Sequence, residues 1–297
     1  MKKTYLFILF LLISASFIYA QVDFEINNSV TVEVGTSLYI EVSGDLIENG
    51  TGYLNGAVTS GDRGNDAISS FAGLNISTGA VDKITRTTGT AYSASSPKTA
   101  LRSYEVENTT AVNSDITSTI LESGSNIETN TISTPFLYSY DGANWTGYLN
   151  NSTITDSIGA NSFIIPAGNS DIVISEGVGA AAKIFLEGPY TSSAMATDLT
   201  AYIPSASPYS EDPDTVSSIP ADAVDWVLVQ LRDDTTPSTV ITSKAAFVNN
   251  LGNVIDKNGN TDIGLPTEPG TYYLSVKHRN HLAVMSSSSQ SITWITP

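Results

Sequence analysis

The chain has 297 residues, 13 Lys and Arg against 30 Asp and Glu, a net charge of −17, and no cysteine. Disulfides, thiol nucleophiles and Cys-based metal sites are therefore excluded, and the lack of clustered cations argues against nucleic acid as a partner. Only 14% of residues are charged, a composition that suits pleated strands and turns better than exposed helices, and the length suggests about two domains.

Residues 1–20 read as an export signal. Lys2 and Lys3 precede an apolar run from Tyr5 to Ile13, followed by Ser14-Ala15-Ser16, and cleavage is expected after Ala20. The run is too short to cross a bilayer comfortably, and no second long apolar stretch follows. The expectation is an exported chain, cell-surface or extracellular, with no membrane span after cleavage.

Residues 21–107 form the first β-rich segment. Apolar side chains alternate at Val30, Val32, Val34 and again at Leu38, Ile40, Val42, which predicts two half-buried strands joined by a tight turn at Gly35-Thr36-Ser37. Short glycine-containing strands after Gly50 fit either a β-solenoid or a sandwich. Ser60 to Asp66 reads as a turn-rich loop. Arg86 and Arg102 stand out in a very acidic chain, so each is expected to pair with a nearby carboxylate rather than bind a ligand.

Residues 108–177 begin with a Thr/Ser/Asn-rich stretch and continue to Phe136-Leu137-Tyr138-Ser139-Tyr140, Asp141-Gly142 and Trp145, the pattern of an aromatic hairpin. Trp145 and Tyr148 are candidates for stacking on a ligand, with packing on their own sheet as the alternative. Strands are expected at Ser162 to Ile165 and Asp171 to Ser175, separated by a Pro166 to Asn169 turn.

Residues 178–297 carry strand signals at Lys183 to Leu186, Val224 to Leu231, Val240 to Val248 and Tyr272 to Lys277, the spacing of a Greek-key sandwich. Between them, Gly188 to Ala223 is a proline-punctuated connection expected to pack as a lid, with at most one short helix near Met195, Leu199 and Ile203. The whole chain is thus expected to be all-β.

In this last region Lys183-Ile184-Phe185-Leu186-Glu187-Gly188-Pro189-Tyr190, Val224-Asp225-Trp226-Val227-Leu228-Val229-Gln230-Leu231-Arg232-Asp233, Lys244-Ala245-Ala246-Phe247 and His278-Arg279-Asn280-His281-Leu282 occur in order. The chain from about residue 180 resembles the His-Arg-Asn-His-Leu module of large secreted Bacteroidota surface proteins. Gly56-Ala57-Val58-Thr59-Ser60-Gly61-Asp62-Arg63 and Phe71-Ala72-Gly73-Leu74 resemble segments of the same proteins. Family members often continue into calcium-binding dockerin-like repeats or a type IX sorting domain. The resemblance implies a surface or secreted location and transfers no enzymatic activity. It also implies O-glycans at Asp-Ser/Thr motifs, with Thr215, Thr235 and Ser157 as candidates.

Two groupings invite a metal reading. His278 and His281 lie three residues apart, a spacing that puts them on opposite faces of a continuous strand. The favoured alternative is a corner in which Arg279 and Asn280 satisfy carbonyls and carboxylates, Glu187 or Asp225 among them, beside Trp226, while Leu282, Val284 and Met285 enter the core. Asp256, Asn258, Asn260 and Asp262 alternate as Ca²⁺ ligands would, but the loop departs from the EF-hand pattern at Thr261 and Thr267. An ordinary hairpin loop is the competing reading, and no other cofactor is expected.

No Gly-x-Ser-x-Gly, His-Glu-x-x-His or phosphate-loop motif is present. The function expected is a noncatalytic structural, adhesion or binding module whose partners are surface glycans or extracellular proteins. A polysaccharide-binding or polysaccharide-degrading accessory protein is the alternative. Intact-mass analysis of exported protein is expected to give a chain beginning at Gln21; retention of residues 1–20 would contradict it.

Overall fold

The computed structural model describes residues 23–27, 31–35, 39–48, 52–61, 68–92, 98–120, 132, 134–152 and 156–295. Most of the loop at Ser60 to Asp66 lies outside them. Among the described residues the chain is all-β, built from several sheets with a single short 3-10 turn, and no helix is long and apolar enough to cross a membrane.

The first strands, in chain order, are β1 (Phe24–Ile26), β2 (Thr31–Glu33), β3 (Tyr39–Glu41), β4 (Leu46–Glu48), β5 (Tyr53–Thr59), β6 (Ser70–Phe71) and β7 (Leu74–Ile76). Next come β8 (Lys83–Thr88), β9 (Thr99–Asn108), β10 (Val112–Thr119), β11 (Phe136–Tyr140), β12 (Trp145–Tyr148), β13 (Ser157–Ile165) and β14 (Gly168–Ser175). An eight-stranded sheet runs β12-β11-β14-β9-β8-β5-β2, with β3 also on β5, and a four-stranded sheet runs β13-β10-β7-β6. The inward side chains of both, among them Leu54, Ile84, Val106, Ile116, Phe163 and Ile172, form one buried core. The segments 21–107 and 108–177 contribute strands to both sheets, and position 107/108 falls inside β9.

One local expectation is corrected. β2 and β3 are not a hairpin: both run parallel to β5, with Thr31 opposite Tyr53 and Tyr39 opposite Ala57. Alternation reports which face a residue takes and says nothing of strand direction. The expected strands on either side of Pro166 are present, and the turn between them joins different sheets, since β13 pairs with β10 while β14 pairs with β9 and β11.

Inside this core sits a charge cluster. Arg86, fully buried on β8, donates to both Glu48 oxygens at 2.7 and 3.0 Å and to the Leu54 carbonyl at 3.2 Å. Arg102 of β9 lies 3.8 Å from the same carboxylate and donates to the Ala72 carbonyl at 3.2 Å. That carbonyl sits on the two-residue turn Ala72-Gly73, where φ is 50° and 90°. A Cβ at Gly73 would stand 2.9 Å from the Arg102 guanidinium, so a larger residue would meet both a strained backbone and an occupied space. Both arginines thus answer the sequence expectation with one shared carboxylate.

The remaining strands are β15 (Val178–Ala180), β16 (Tyr190–Thr191), β17 (Ala194–Met195), β18 (Ala223–Asp233) and β19 (Val240–Asn249). They are followed by β20 (Val254–Ile255), β21 (Ile263–Leu265), β22 (Gly270–Lys277), β23 (Val284–Met285) and β24 (Gln290–Ile292). A six-stranded sheet runs β20-β19-β18-β22-β23, with β24 also on β22, and β15 pairs with β21. The expected strand at Lys183 to Leu186 is reduced to an isolated bridge between Lys183 and Asn253.

One face of this sheet, through Val227, Val229, Leu231, Ala246 and Val248, packs with Phe136, Tyr138, Trp145 and Val173 from the outer face of the eight-stranded sheet. β11 and β14 are therefore buried on both sides, which is why Phe136 to Tyr140 and Asp171 to Ser175 read as nearly continuous apolar runs. Beyond β14 that outer face is uncovered, and its residues are polar: Lys83, Thr85, Glu105 and Glu107. The opposite face of the six-stranded sheet packs Trp226, Leu228 and Phe247 beneath Ile203, Tyr209 and Val216. The proline-rich connection is thus a packed cover, with its 3-10 turn at Thr200–Tyr202.

Burial pushes the Glu48 carboxyl up, but the Arg86 hydrogen bonds and charge, the Arg102 charge and the Leu54 N–H outweigh it and hold the pKa below the usual value. A lowered folded pKa gives stability above the unfolded carboxylate pKa that is lost as pH falls through the folded value. Glu48→Gln is expected to cost about 3–5 kcal/mol at neutral pH, because it strands buried cations. Urea titrations at neutral pH and at about pH 3 should show this deficit narrowing in acid; a constant deficit would refute the electrostatic origin.

Candidate functional site

A groove of about 930 Å³ lies where the edges of the eight-stranded and six-stranded sheets diverge. One bank is the end of β12 and the chain beyond it, residues 147–152, with Asn161 of β13. The other is the start of β19, residues 240–243, with the stretch 210–215 of the packed connection and Lys257.

On the first bank, Tyr148 packs its ring on Phe163 at 4.4 Å between centroids, and its hydroxyl accepts the Ile164 N–H at 3.0 Å. Both ends of this side chain are fixed. Asn150 accepts the N–H groups of Ser152 and Gly159 on Oδ1, at 3.0 and 3.1 Å, which turns its amide nitrogen away from those contacts. Asn151 donates from its amide to the Asn161 carbonyl oxygen. The result is a row of amides beside an anchored aromatic ring.

The second bank is ionic but self-neutralising. Lys244, mostly buried, lies 2.9 Å from Asp212 and 3.1 Å from Asp214, and the half-exposed Lys257 lies 3.5 Å from Asp214. Burial works against both signs of charge. Even so, Asp212 and Asp214 hold Lys244 above the usual ammonium value, and Lys244 with Lys257 holds Asp214 below the usual carboxylate value. Glu211 is paired with Lys277 at 3.2 Å. Val240 and Ile241 are about two-fifths exposed, and a β-bulge lies at this point of β19.

β20 covers only Phe247 and Val248 of β19, and the outward N–H of Ala245 is bonded to Asp212 Oδ2 at 2.7 Å. On β12, the Trp145 N–H reaches Glu268 Oε2 at 3.4 Å.

The residues singled out in the sequence fall in different places. Trp145 is no platform: it is 8% exposed and sits among Tyr92, Tyr138, Tyr140 and Trp294, stacked on Tyr140 at 4.5 Å. It lies on the opposite face of β12 from Tyr148, as a spacing of three on a strand requires. Tyr148 lines the groove, and so does Thr215. Thr235 is exposed in a turn where it donates to Asp233 at 2.7 Å, and Ser157 starts β13 opposite Thr119.

The histidine corner is a structural tie. Arg279 grips Asp225 at 2.8 and 3.0 Å, and His278 Nε2 lies 3.2 Å from the same carboxylate. The Asn280 N–H donates to His278 Nδ1 at 3.2 Å, which leaves Nε2 as the protonated nitrogen that donates to Asp225. His281 Nδ1, 2.8 Å from the same His278 atom, then also donates to it. Trp226, beside Asp225, is buried and donates to the Pro204 carbonyl at 2.8 Å. Glu187 is exposed and is not the partner of Arg279. Leu282, Val284 and Met285 are also corrected: they are exposed, Leu282 at 94%, because the chain turns outward after the corner and β23 is an edge strand.

Asp256 caps its own loop. Its Oδ1 accepts the N–H groups of Asn258 and Asn260 at 2.8 Å each, and its Oδ2 accepts the Asn260 amide at 2.9 Å. Asp262 is exposed, and no group of three or more His, Asp or Glu poised for a metal occurs among the described residues.

The Asp212-Lys244-Asp214 ladder escaped sequence reasoning. Its one signal is a lysine heading the apolar run Ala245-Ala246-Phe247-Val248 in a chain poor in cations. Comparison with known proteins matches no family model, no curated sequence and no solved structure.

Because Asp256 already serves the loop's own donors, thermal melting is expected to be the same with and without EDTA. Asp256→Ala should destabilise by about 1–3 kcal/mol, the range for bonds to a charged acceptor. A melting point lowered by EDTA and restored by Ca²⁺ would overturn this assignment.

Proposed function

We propose that this chain is an exported, noncatalytic binding and adhesion module of a bacterial surface, which engages its partner through the groove between its two large sheets. The observation that carries the reading is the groove itself. It is a sizeable, solvent-open concavity with fixed walls, and its carboxylates Asp212 and Asp214 are committed to Lys244. A carboxylate held by a buried ammonium group is poorly placed to act as a general acid or base, which favours binding over turnover.

The resemblance to the His-Arg-Asn-His-Leu surface module supports an exported location. Within that module the histidine corner serves to hold β22 to β18 through Asp225. On the fold, the antiparallel pairing that joins most N-terminal strands supports a sandwich rather than a solenoid. The order β22-β18-β19-β20 supports the Greek-key reading, since the fourth strand returns beside the first.

The test is saturable sedimentation of the purified chain with the insoluble surface material of the culture that produces it, comparing wild type with Ile241→Arg, which puts a bulky cation in the groove. Wild type is expected to bind and the variant to stay in the supernatant, with no soluble product released. Equal binding by both, or release of product abolished by Glu211→Gln, would overturn the reading.

A further inference from the structure

Resting on that groove assignment, we infer that its ligand is an uncharged glycan chain, recognised by the ring of Tyr148 and the amides of Asn150 and Asn161. Four observations narrow the chemistry to this class.

The first is charge. In a chain of net charge −17 the groove wall is locally balanced: Lys244 and Lys257 answer Asp212 and Asp214, and Lys277 answers Glu211. Such a wall offers no excess field to a polycation or a polyanion. A ligand without net charge loses nothing by entering it.

The second is the aromatic surface. A sugar ring presents C–H groups on one face, and an aromatic side chain receives them when it is held flat and still. Tyr148 is pinned by Phe163 beneath its ring and by the Ile164 N–H at its hydroxyl, and it borders the groove. Little ordering entropy is lost when a ligand settles on a side chain already fixed.

The third is the polar complement. Asn150 uses only Oδ1 to hold the chain at Ser152 and Gly159, and Asn161 uses only Oδ1 to accept from Asn151. Each keeps an amide N–H₂ whose donors the fold does not consume among the described residues. Paired donors and acceptors on sugar hydroxyls suit such amides, and both sit on the same bank as Tyr148.

The fourth weighs against the rival polymer. An extended polypeptide would bind by adding a strand to a free sheet edge. Here the bulge at the start of β19 breaks the regular spacing of that edge within the groove, and just beyond the groove the Asp212 carboxylate takes the Ala245 N–H and the Glu268 carboxylate the Trp145 N–H, so neither edge continues as a free strand template.

The experiment is calorimetric titration of the full chain with cellohexaose, xylohexaose, mannohexaose, laminarihexaose and maltohexaose. Hexagalacturonate serves as the anionic control, and an uncharged dodecapeptide of alternating Thr and Val as the strand control. At least one neutral hexaose is expected to bind saturably, and Tyr148→Ala to weaken it about tenfold or more. Tyr148→Ala could loosen the packing on Phe163, so Asn150→Asp is the decisive variant. It keeps the oxygen that accepts the two backbone N–H groups, removes the amide donors, and should weaken the same hexaose at an unchanged melting temperature. If no neutral hexaose binds, or hexagalacturonate binds more tightly, the inference falls. Peptide binding abolished by Ile241→Arg would overturn the glycan assignment while leaving the groove as the binding site. Hexaose binding untouched by all three substitutions would overturn the groove itself.

Discussion

Burial of β11 and β14 on both faces is the constraint from which the rest of the architecture follows. Leu137, Ile172 and Ile174 belong to the core shared with the four-stranded sheet, while Phe136, Tyr138 and Val173 belong to the core shared with the six-stranded sheet. The two halves of the chain are therefore fused through common strands. Tyr138 extends this joint, because its hydroxyl donates to the carbonyls of Leu265 and Thr267 at 3.4 and 3.3 Å while its ring meets Trp145 and Trp294 edge-on. Aromatic pairs in this geometry add about 0.5–1.5 kcal/mol each beyond the area they bury. The banks of the groove are branches from this joint, so their separation is set by packing that lies beneath them.

With no disulfide to brace it, the molecule distributes its few cations as internal ties. Arg86 and Arg102 converge on Glu48, Lys244 bridges two aspartates from the packed connection, and Arg279 fixes the end of β22 to Asp225 on β18. Each tie joins segments far apart in sequence. A buried ion pair is weak evidence of stability, because desolvation opposes it, but it is strict about geometry. Arg86 Nε lies buried without a partner, an example of the polar cost accepted to hold that geometry.

Strand positions were far easier to read in the sequence than strand partners. Alternation and doubly apolar runs are local, and they marked β11, β14, β18, β19 and β22. Pairing is not local: nothing in Val30 to Val42 reveals that both strands lie parallel to β5, and the Pro166 turn looks like any hairpin although it crosses between sheets. The aromatic pair shows the same limit for the site. Trp145 and Tyr148 were equivalent candidates by type, and only the choice of which face of β12 meets the second core made one a buried wedge and the other a groove wall. Asp225 was legible only as one of two candidate carboxylates for Arg279, beside Glu187, whereas the Asp212-Lys244-Asp214 ladder was hidden by a separation of about thirty residues and a sharply turned connection.

The stretch from Thr293 to Ile295 lies alongside β15: the Gly179 N–H donates to the Thr293 carbonyl at 3.0 Å and the Ile295 N–H to the Gly177 carbonyl at 3.1 Å. Trp294, between them, is wedged against Tyr138 and Trp145. A mechanical load entering the chain past Ile295 would reach the central joint first, without passing through the six-stranded sheet. The antiparallel bridge of Val178 with Trp294 and its flanking bonds would take that tension together, with an indole lodged between the layers as a stop. Pulled from this side, the molecule behaves as a rivet whose head is already seated in the middle of the stack.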